Sequence, residues 1–307
     1  MSKQDLAELT TIIQTSPAPA HPSTRLLEEV VSSLALAGLS PLNHRVIVIA
    51  DGCKRRERSR WKKGEVDELA EAAYERYLAR VLAGARRPGC ALHGIELVCL
   101  QERHGCAHAL RRALSLVATR CVFVCQHDRV LQNEAPVLLV ANVVLTAAHV
   151  NAVNLSTITT VTAFHSRFGL SALLFKPQTV LGLRLVPLPA FRDSNYVART
   201  DWLRDAVFGP LRGCALPRGA YLEDTFGQAQ LAAVKRGGAE ALARYGTFVL
   251  VDSEAATVRH LNGRDLLAAS GLWRKYAHSN AQTDEAEWER AEAAGETPQP
   301  PRLEGFQ

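Results

Sequence analysis

Glu223 and Asp224 stand side by side at what reads as the start of a helix, between Leu222 and Thr225-Phe226-Gly227-Gln228. Adjacent carboxylates near a helix N-terminus can include a general base, provided one of them stays ionised. A helix start also attracts carboxylates through its dipole alone, so the pair has a bland reading as well. A second group, Gln126-His127-Asp128, closes the apolar run Cys121-Val122-Phe123-Val124-Cys125, and Asp51 and His260 each follow apolar stretches of their own. Aspartate and histidine are reasonable ligands for a divalent metal, and oxygen-rich mixed sites suit magnesium or manganese. Such a cation bridges phosphate oxygens and offsets charge developing on a leaving group. His104 and His108 have the i, i+4 spacing of a zinc pair. The glutamate of a zinc-hydrolase motif is missing there, and Gly105 reads as loop. That glycine fits better as a point where backbone approaches a ligand at a helix start, a setting that favours anions.

These residues need elements to carry them. Short apolar, β-branched runs at Leu9 to Gln14, Arg45 to Ala50, Ile95 to Leu100 and Cys121 to Cys125 read as strands. A helix after Ser23 or Thr24 carries Leu26, Leu27, Val30, Val31 and Leu34 on one face and stops at Gly38. A second helix, Glu65 to Ala83, turns Leu69, Ala73, Tyr77 and Leu78 inward, and a third carries Ala109, Leu110, Ala113, Leu114 and Val117. Strand, helix, strand recurring through the first 128 residues predicts a parallel sheet. In such a sheet ligands collect beyond the carboxyl ends of the strands, where Asp51 and Asp128 lie. After Asp128 the alternation fails. A buried helix is expected over Ala135 to Ala148 and strands over Ser156 to Ala163, Ser171 to Phe175 and Thr247 to Val251. Phe191 to Tyr196 reads as a polar, aromatic loop leading into a helix through Trp202, Leu203 and Val207.

With 307 residues, 47% apolar and 22% charged, the chain has the profile of an ordinary globular protein. The net charge of +5 suits phosphate-bearing ligands but is too small to argue for nucleic acid. The dense basic run Lys54 to Lys63, with Trp61 as its one aromatic, reads as a solvated loop facing anionic ligands, and a nucleic-acid partner is not expected. Seven cysteines without paired short spacings argue against a disulfide framework, and Cys121 and Cys125 read as core residues. No membrane span or signal peptide is legible, so a cytoplasmic location is expected. Residues 279–307, rich in Glu, Ala and Pro, read as a disordered tail behind a domain at 1–278.

The order of these pieces resembles the GT-A glycosyltransferases, in particular the family-two-like group that uses nucleotide sugars. Arg103-His104-Gly105-Cys106-Ala107 stands where those proteins have a glycine-containing loop before a helix. Gln126-His127-Asp128 stands at the DxD position with only the final aspartate kept, Leu222-Glu223-Asp224 at xED, and His260 at the C-terminal metal histidine. The QHD, LEDTFGQ and HLNGR runs are most similar to glycosyltransferase domains of algae and their large viruses. The resemblance covers about residues 9 to 265, and the order of the motifs carries it.

It implies a GT-A fold: a central, mostly parallel sheet flanked by helices, with a small antiparallel acceptor-side part. A nucleotide-sugar half would span about 9–128 and an acceptor half about 129–278. It implies transfer of a sugar from a nucleotide-diphosphate sugar, UDP-type favoured, to a glycan or other hydroxyl acceptor, with inversion. Asp224 would be the base and Glu223 would orient the acceptor. Thr15, Ser16, Pro17 and Asp51 would line the base and ribose pocket, joined by Arg103, Gly105, Gln126 and His127. Asp128 and His260 would hold manganese or magnesium, and Asp193 and Tyr196 would contact the acceptor. Two alternatives stay open: a GT-A-like binding protein without turnover, and a nucleotidyltransferase. The latter usually has a Gly-rich, basic loop after the first strand, where this chain has Thr15-Ser16-Pro17-Ala18-Pro19.

Overall fold

The computed structural model describes residues 8–157, 170, 172–209, 216–251, 256–261 and 302–303. The first half alternates strand and helix as the sequence predicts: β1 (Leu9–Thr15), α1 (Arg25–Ser33), β2 (Val46–Ala50), the short β3 (Lys54–Arg55) and β4 (Glu65–Val66), α2 (Glu68–Arg86), β5 (Glu96–Leu100), α3 (Cys106–Leu114) and β6 (Cys121–Gln126). There follow β7 (Arg129–Leu131), α4 (Val137–Thr146), β8 (Ala152–Asn154), β9 (Gln178–Val180), β10 (Leu183–Pro187), β11 (Tyr196–Arg199) and α5 (Thr200–Trp202), which runs on as a π-helical turn, Leu203–Val207. A second π-helical turn, Glu223–Gly227, leads into α6 (Gln228–Tyr245), and β12 (Thr247–Leu250), β13 (Val258–His260) and β14 (Arg302–Leu303) complete the described elements.

The large sheet has the order β14-β5-β2-β1-β6-β11-β8-β12-β10-β9. From β14 to β6 every pairing is parallel. β11 then runs antiparallel between β6 and β8, and β10 pairs antiparallel with β12 and β9. This is the mixed α/β arrangement, parallel from β14 to β6 and partly antiparallel beyond it, expected of a GT-A fold.

Both faces of β1, β2 and β6 are buried, which explains why they read as continuous apolar runs rather than alternating ones. Cys121, Phe123 and Cys125 of β6 join one core with Leu27 and Val30 of α1, Tyr77 and Val81 of α2 and Val140 and Val144 of α4. Val122 and Val124 face the other core, with Ala109, Leu110 and Ala113 of α3 and Leu203, Val207 and Phe226. Two-sided burial makes register strict, because a one-residue slip would exchange the two core faces.

Several expectations are corrected. Leu69 is 83% exposed. The helix begins only at Glu68, capped by the Asp67 side chain on the Ala70 N–H, and its buried face is Tyr74, Tyr77, Leu78 and Val81. Ala172–Phe175 forms a 3-10 turn rather than a strand, and Ser171 lies outside the described residues. Tyr196 is not a loop residue: it begins β11, whose pairing with β6 sets Tyr196 opposite Val124. Most of the strand expected over Ser156 to Ala163, the Asn262-Gly263-Arg264 segment and the tail from 279 lie outside the described residues, apart from Arg302–Leu303 in β14. No helix among the described residues is long and apolar enough to cross a membrane.

Candidate active site

Chain order places the site. β1 leads outward to β2 and β5, and the chain then returns to β6 on the opposite side of β1. Connections leave in opposite directions around β1 and β6, and a crevice opens at their carboxyl ends. The cleft is lined by Gln14, Thr15 and Ser16 after β1, by Asp51 after β2, by Arg103, Gly105 and Cys106 after β5, and by Gln126, His127 and Asp128 after β6. Trp61, Gly64, Gly219 and Tyr221 close it. The elements thus gather Thr15, Ser16, Asp51, Arg103, Gly105, Gln126, His127 and Asp128 around one space. Pro17 is buried and does not line it.

The floor is tied together by side chains. Asp51 is 6% exposed, and its two oxygens accept the His104 N–H (2.7 Å) and the Gly105 N–H (2.8 Å). Burial pushes its carboxyl up, against the two amide bonds and the neighbouring His104 and Arg103 charges. Asp51 therefore anchors the loop ahead of α3, leaving little of its carboxylate for a ligand. Gln14 donates from Nε2 to the Cys106 carbonyl (2.7 Å), and the Thr15 hydroxyl lies 3.0 Å from that of Tyr77. His108 does not pair with His104 on a metal, because its Nε2 lies 2.7 Å from the Leu216 carbonyl.

Gly105 has φ +82°, and a Cβ there would collide with the Gly219 backbone. This close approach seats the 216–221 loop on α3, with the Gly219 N–H donating to the His104 carbonyl at 3.0 Å. Arg103 threads the remaining gap: a Cβ on Gly64 would lie 2.6 Å from its Nε, and a Cβ on Gly219 2.7 Å from Nη1. Gly105→Ala is expected to lower stability by about 1–3 kcal/mol through backbone strain, read as a fall in melting temperature. An unchanged melting curve would mean that the Gly105–Gly219 contact is not needed.

A further part of the site is assembled by the two-stranded sheet of β7 and β13, which sets His260 opposite Arg129. His260 Nε2 then lies 3.0 Å from Asp128 Oδ2. Asp128 Oδ1 is buried with no hydrogen-bond partner among the described residues. Burial opposes its ionisation, but the His260 hydrogen bond and the His127, His260 and Arg129 charges outweigh it, so the carboxyl is held well below the usual range. One carboxylate with a vacant buried oxygen beside one imidazole fits a hard divalent ion that keeps water and phosphate oxygens as its other ligands. Among the described residues there is no group of three or more His, Cys, Asp or Glu that could hold a metal ion. Gln126 is not spare: Nε2 donates to the Asp193 carbonyl (2.7 Å), and Oε1 accepts from Arg129 Nε (3.1 Å).

Glu223 and Asp224 are exposed on the π-helical turn that follows Tyr221 and Leu222. Glu223 is close enough for its charge to act on both Asp193 and the cleft residue Cys106. The two residues expected to meet an acceptor are enclosed: Asp193 is 8% exposed and Tyr196 1%, packed edge-on against Phe191. Tyr196 is held at the start of β11 and Asp193 in the loop just before it. Trp61, Gly64, Gly219 and Tyr221 escaped the sequence reading as wall residues, although Trp61 stands out as the aromatic of the basic run and Tyr221 immediately precedes Leu222-Glu223-Asp224. In the basic run, Lys54 to Arg58 and Arg60 are exposed, and three arginines are paired: Arg55 with Glu68 (2.5 Å) and Glu71 (3.6 Å), Arg56 with Glu65 (3.7 Å) and Arg60 with Glu65 (3.9 Å).

No protein-family model and no curated protein matches the chain. Solved structures do resemble it. S. aureus TarS 1-349 in complex with UDP-GlcNAc is 14% identical, with a TM-score of 0.44 over 80% of this chain and 56% of that one. The mannosyltransferase PcManGT from Pyrobaculum calidifontis, in complex with GDP-Man and Mn2+, is 18% identical, with a TM-score of 0.37 over 64% and 46%. Glucosyl-3-phosphoglycerate synthase from Mycobacterium tuberculosis, in complex with Mn2+, UDP and glucosyl-3-phosphoglycerate, is 18% identical, with a TM-score of 0.43 over 87% and 77%. The chain spans about half the length of the first and second of these proteins. None of these three reaches 25% identity or a TM-score of 0.5, so the chemistry of this chain rests on its own residues.

Proposed function

We propose that the protein is an inverting glycosyltransferase that moves a sugar from a nucleotide-diphosphate sugar to an acceptor hydroxyl. The observation that supports this most is the convergence, at the switch between β1 and β6, of the Asp128–His260 pair with a wall that continues through Tyr221 into Glu223–Asp224. Thr15 and Ser16 would line the nucleoside, with UDP-type donors favoured, and Arg103 would face the diphosphate, its guanidinium already confined between Gly64 and Gly219. Asp128 and His260 would hold manganese or magnesium, which when bound supplies charge to offset the departing diphosphate. Asp224 would take the proton from the acceptor hydroxyl as that oxygen attacks the anomeric carbon from the face opposite the diphosphate, and Glu223 would orient the acceptor. The acceptor would be a glycan or another hydroxyl compound.

Asp128→Ala is expected to weaken nucleotide-diphosphate affinity about tenfold or more and to remove its dependence on manganese. Calorimetry with and without the metal reads both effects, and equal affinity in the variant would count against a metal role for Asp128. The engagement of both ends of the Gln126 amide favours a second reading, a donor-binding protein without turnover, because the first DxD position has become a structural tie. Release of nucleoside diphosphate from a nucleotide sugar by the purified protein separates the two readings. Consumption of a nucleoside triphosphate with a sugar phosphate would instead indicate a nucleotidyltransferase.

A further inference from the structure

Asp193 joins the two sides of the cleft. Its peptide carbonyl accepts Gln126 Nε2 at 2.7 Å, and its Oδ2 accepts the Glu223 N–H at 3.3 Å. The Leu222 amide also donates to its carboxylate. The loop around it is fixed from behind, where Asn154 Nδ2 donates to the Arg192 carbonyl and the Ser194 hydroxyl, both at 3.1 Å, and Asn195 Nδ2 donates to the Arg129 carbonyl at 3.2 Å. Gln126 in turn receives Arg129 Nε. One residue therefore ties the end of β6, where Asp128 begins, to the first amides of the turn that carries Glu223 and Asp224.

Holding those amides does not require a charge. Asparagine or serine can also accept from such amides, though more weakly than a carboxylate, and a buried carboxylate beside two others is the costly choice. What the carboxylate adds is a negative charge that can come and go next to the proposed base. The titratable groups facing it are Glu223 and Asp224 from the turn, Cys106 from α3 and Tyr196 from β11.

We propose that Asp193 is a positioning residue that fixes the Glu223–Asp224 turn relative to the end of β6 and, when ionised, holds that turn more tightly. The proposal rests on reading the cleft as a glycosyltransferase site. Burial first, and then the Glu223 charge, push the Asp193 carboxyl up to about 7, so its charge changes across neutral pH. Above that point a full charge holds the two amides, and below it the hold weakens.

The test combines two measurements on the wild type and Asp193→Asn. In the first, kcat and KM for the donor are followed from acidic to mildly alkaline pH. Wild-type kcat should rise several-fold through neutral pH, whereas the variant should lack that limb and keep its KM. In the second, amide hydrogen exchange at Leu222 and Glu223, corrected for intrinsic rates, should show more protection above neutral pH than below it in the wild type and no such change in the variant. A pH limb that survives in Asp193→Asn, or protection that does not change with pH in the wild type, overturns the proposal. If the protection change is present but no donor is turned over, the tie stands and the glycosyltransferase reading falls.

Discussion

Asp224→Asn is expected to lower kcat about 10²–10⁴-fold, the usual contribution of a general base. That corresponds to about 3–5 kcal/mol of transition-state stabilisation. The amide cannot take the acceptor proton, yet it matches the carboxylate in size and sits exposed on the π-helical turn, so folding should be unaffected. Donor affinity should also be unchanged, because the groups expected to hold the donor follow β1, β5 and β6, and Asp224 is not among the residues that line the cleft with them. Glu223→Gln should act more through the acceptor KM than through kcat. Steady-state kinetics with a competent donor and acceptor distinguish these effects, and wild-type turnover in Asp224→Asn would remove Asp224 from the role of base.

The second large effect concerns stability. The Asp193 carboxyl is raised from its usual 3.8 to about 7 by burial and by Glu223, with Asp224 adding to the push. For an acid whose pKa is raised on folding, the folded state binds the proton more tightly than the unfolded one. Its contribution is therefore favourable at low pH and is lost as pH climbs from about 4 to about 7. The span corresponds to ~4 kcal/mol of order-of-magnitude cost above neutral pH. Asp193→Asn keeps an acceptor oxygen for the Leu222 and Glu223 amides and removes the charge. The variant should thus melt several degrees above the wild type at mildly alkaline pH and close to it in acid, where Asp193 is already neutral. Equal melting temperatures at alkaline pH would show that the buried charge is compensated. More stable and less active is the trade expected of a charge kept at a working site.

The parallel half was legible because its physics is local. Continuous apolar runs mark strands buried on both faces, and the 3.6-residue pattern of Leu26, Leu27, Val30 and Val31 marks α1. β11 was hidden because Arg192, Asp193, Ser194 and Asn195 look like loop, and the strand after them is defined by pairing with β6 and β8, remote in sequence. Leu69 misled because it lies in the first turn of α2, before the buried face begins. The resemblance pointed to His260 with Asp128. What puts His260 there is the β7–β13 pairing across some 130 residues, which no local pattern reveals. The same limit applies to Asp193 and to Gln126. The resemblance implied ligand contacts for both, and their bonds add that one amide and one carboxylate brace the two walls of the cleft.

The central claim is that this cleft binds a nucleotide-diphosphate sugar through Asp128. A thermal-shift panel of nucleotide sugars, with and without manganese, tests it most directly on the wild type and Asp128→Ala, since a ligand raises the melting temperature only by binding the folded state more tightly. At least one nucleotide sugar should raise the wild-type melting temperature, more so with manganese, and the manganese-dependent part should vanish in Asp128→Ala. No shift with any nucleotide sugar, or an identical manganese-dependent shift in the variant, would contradict the account.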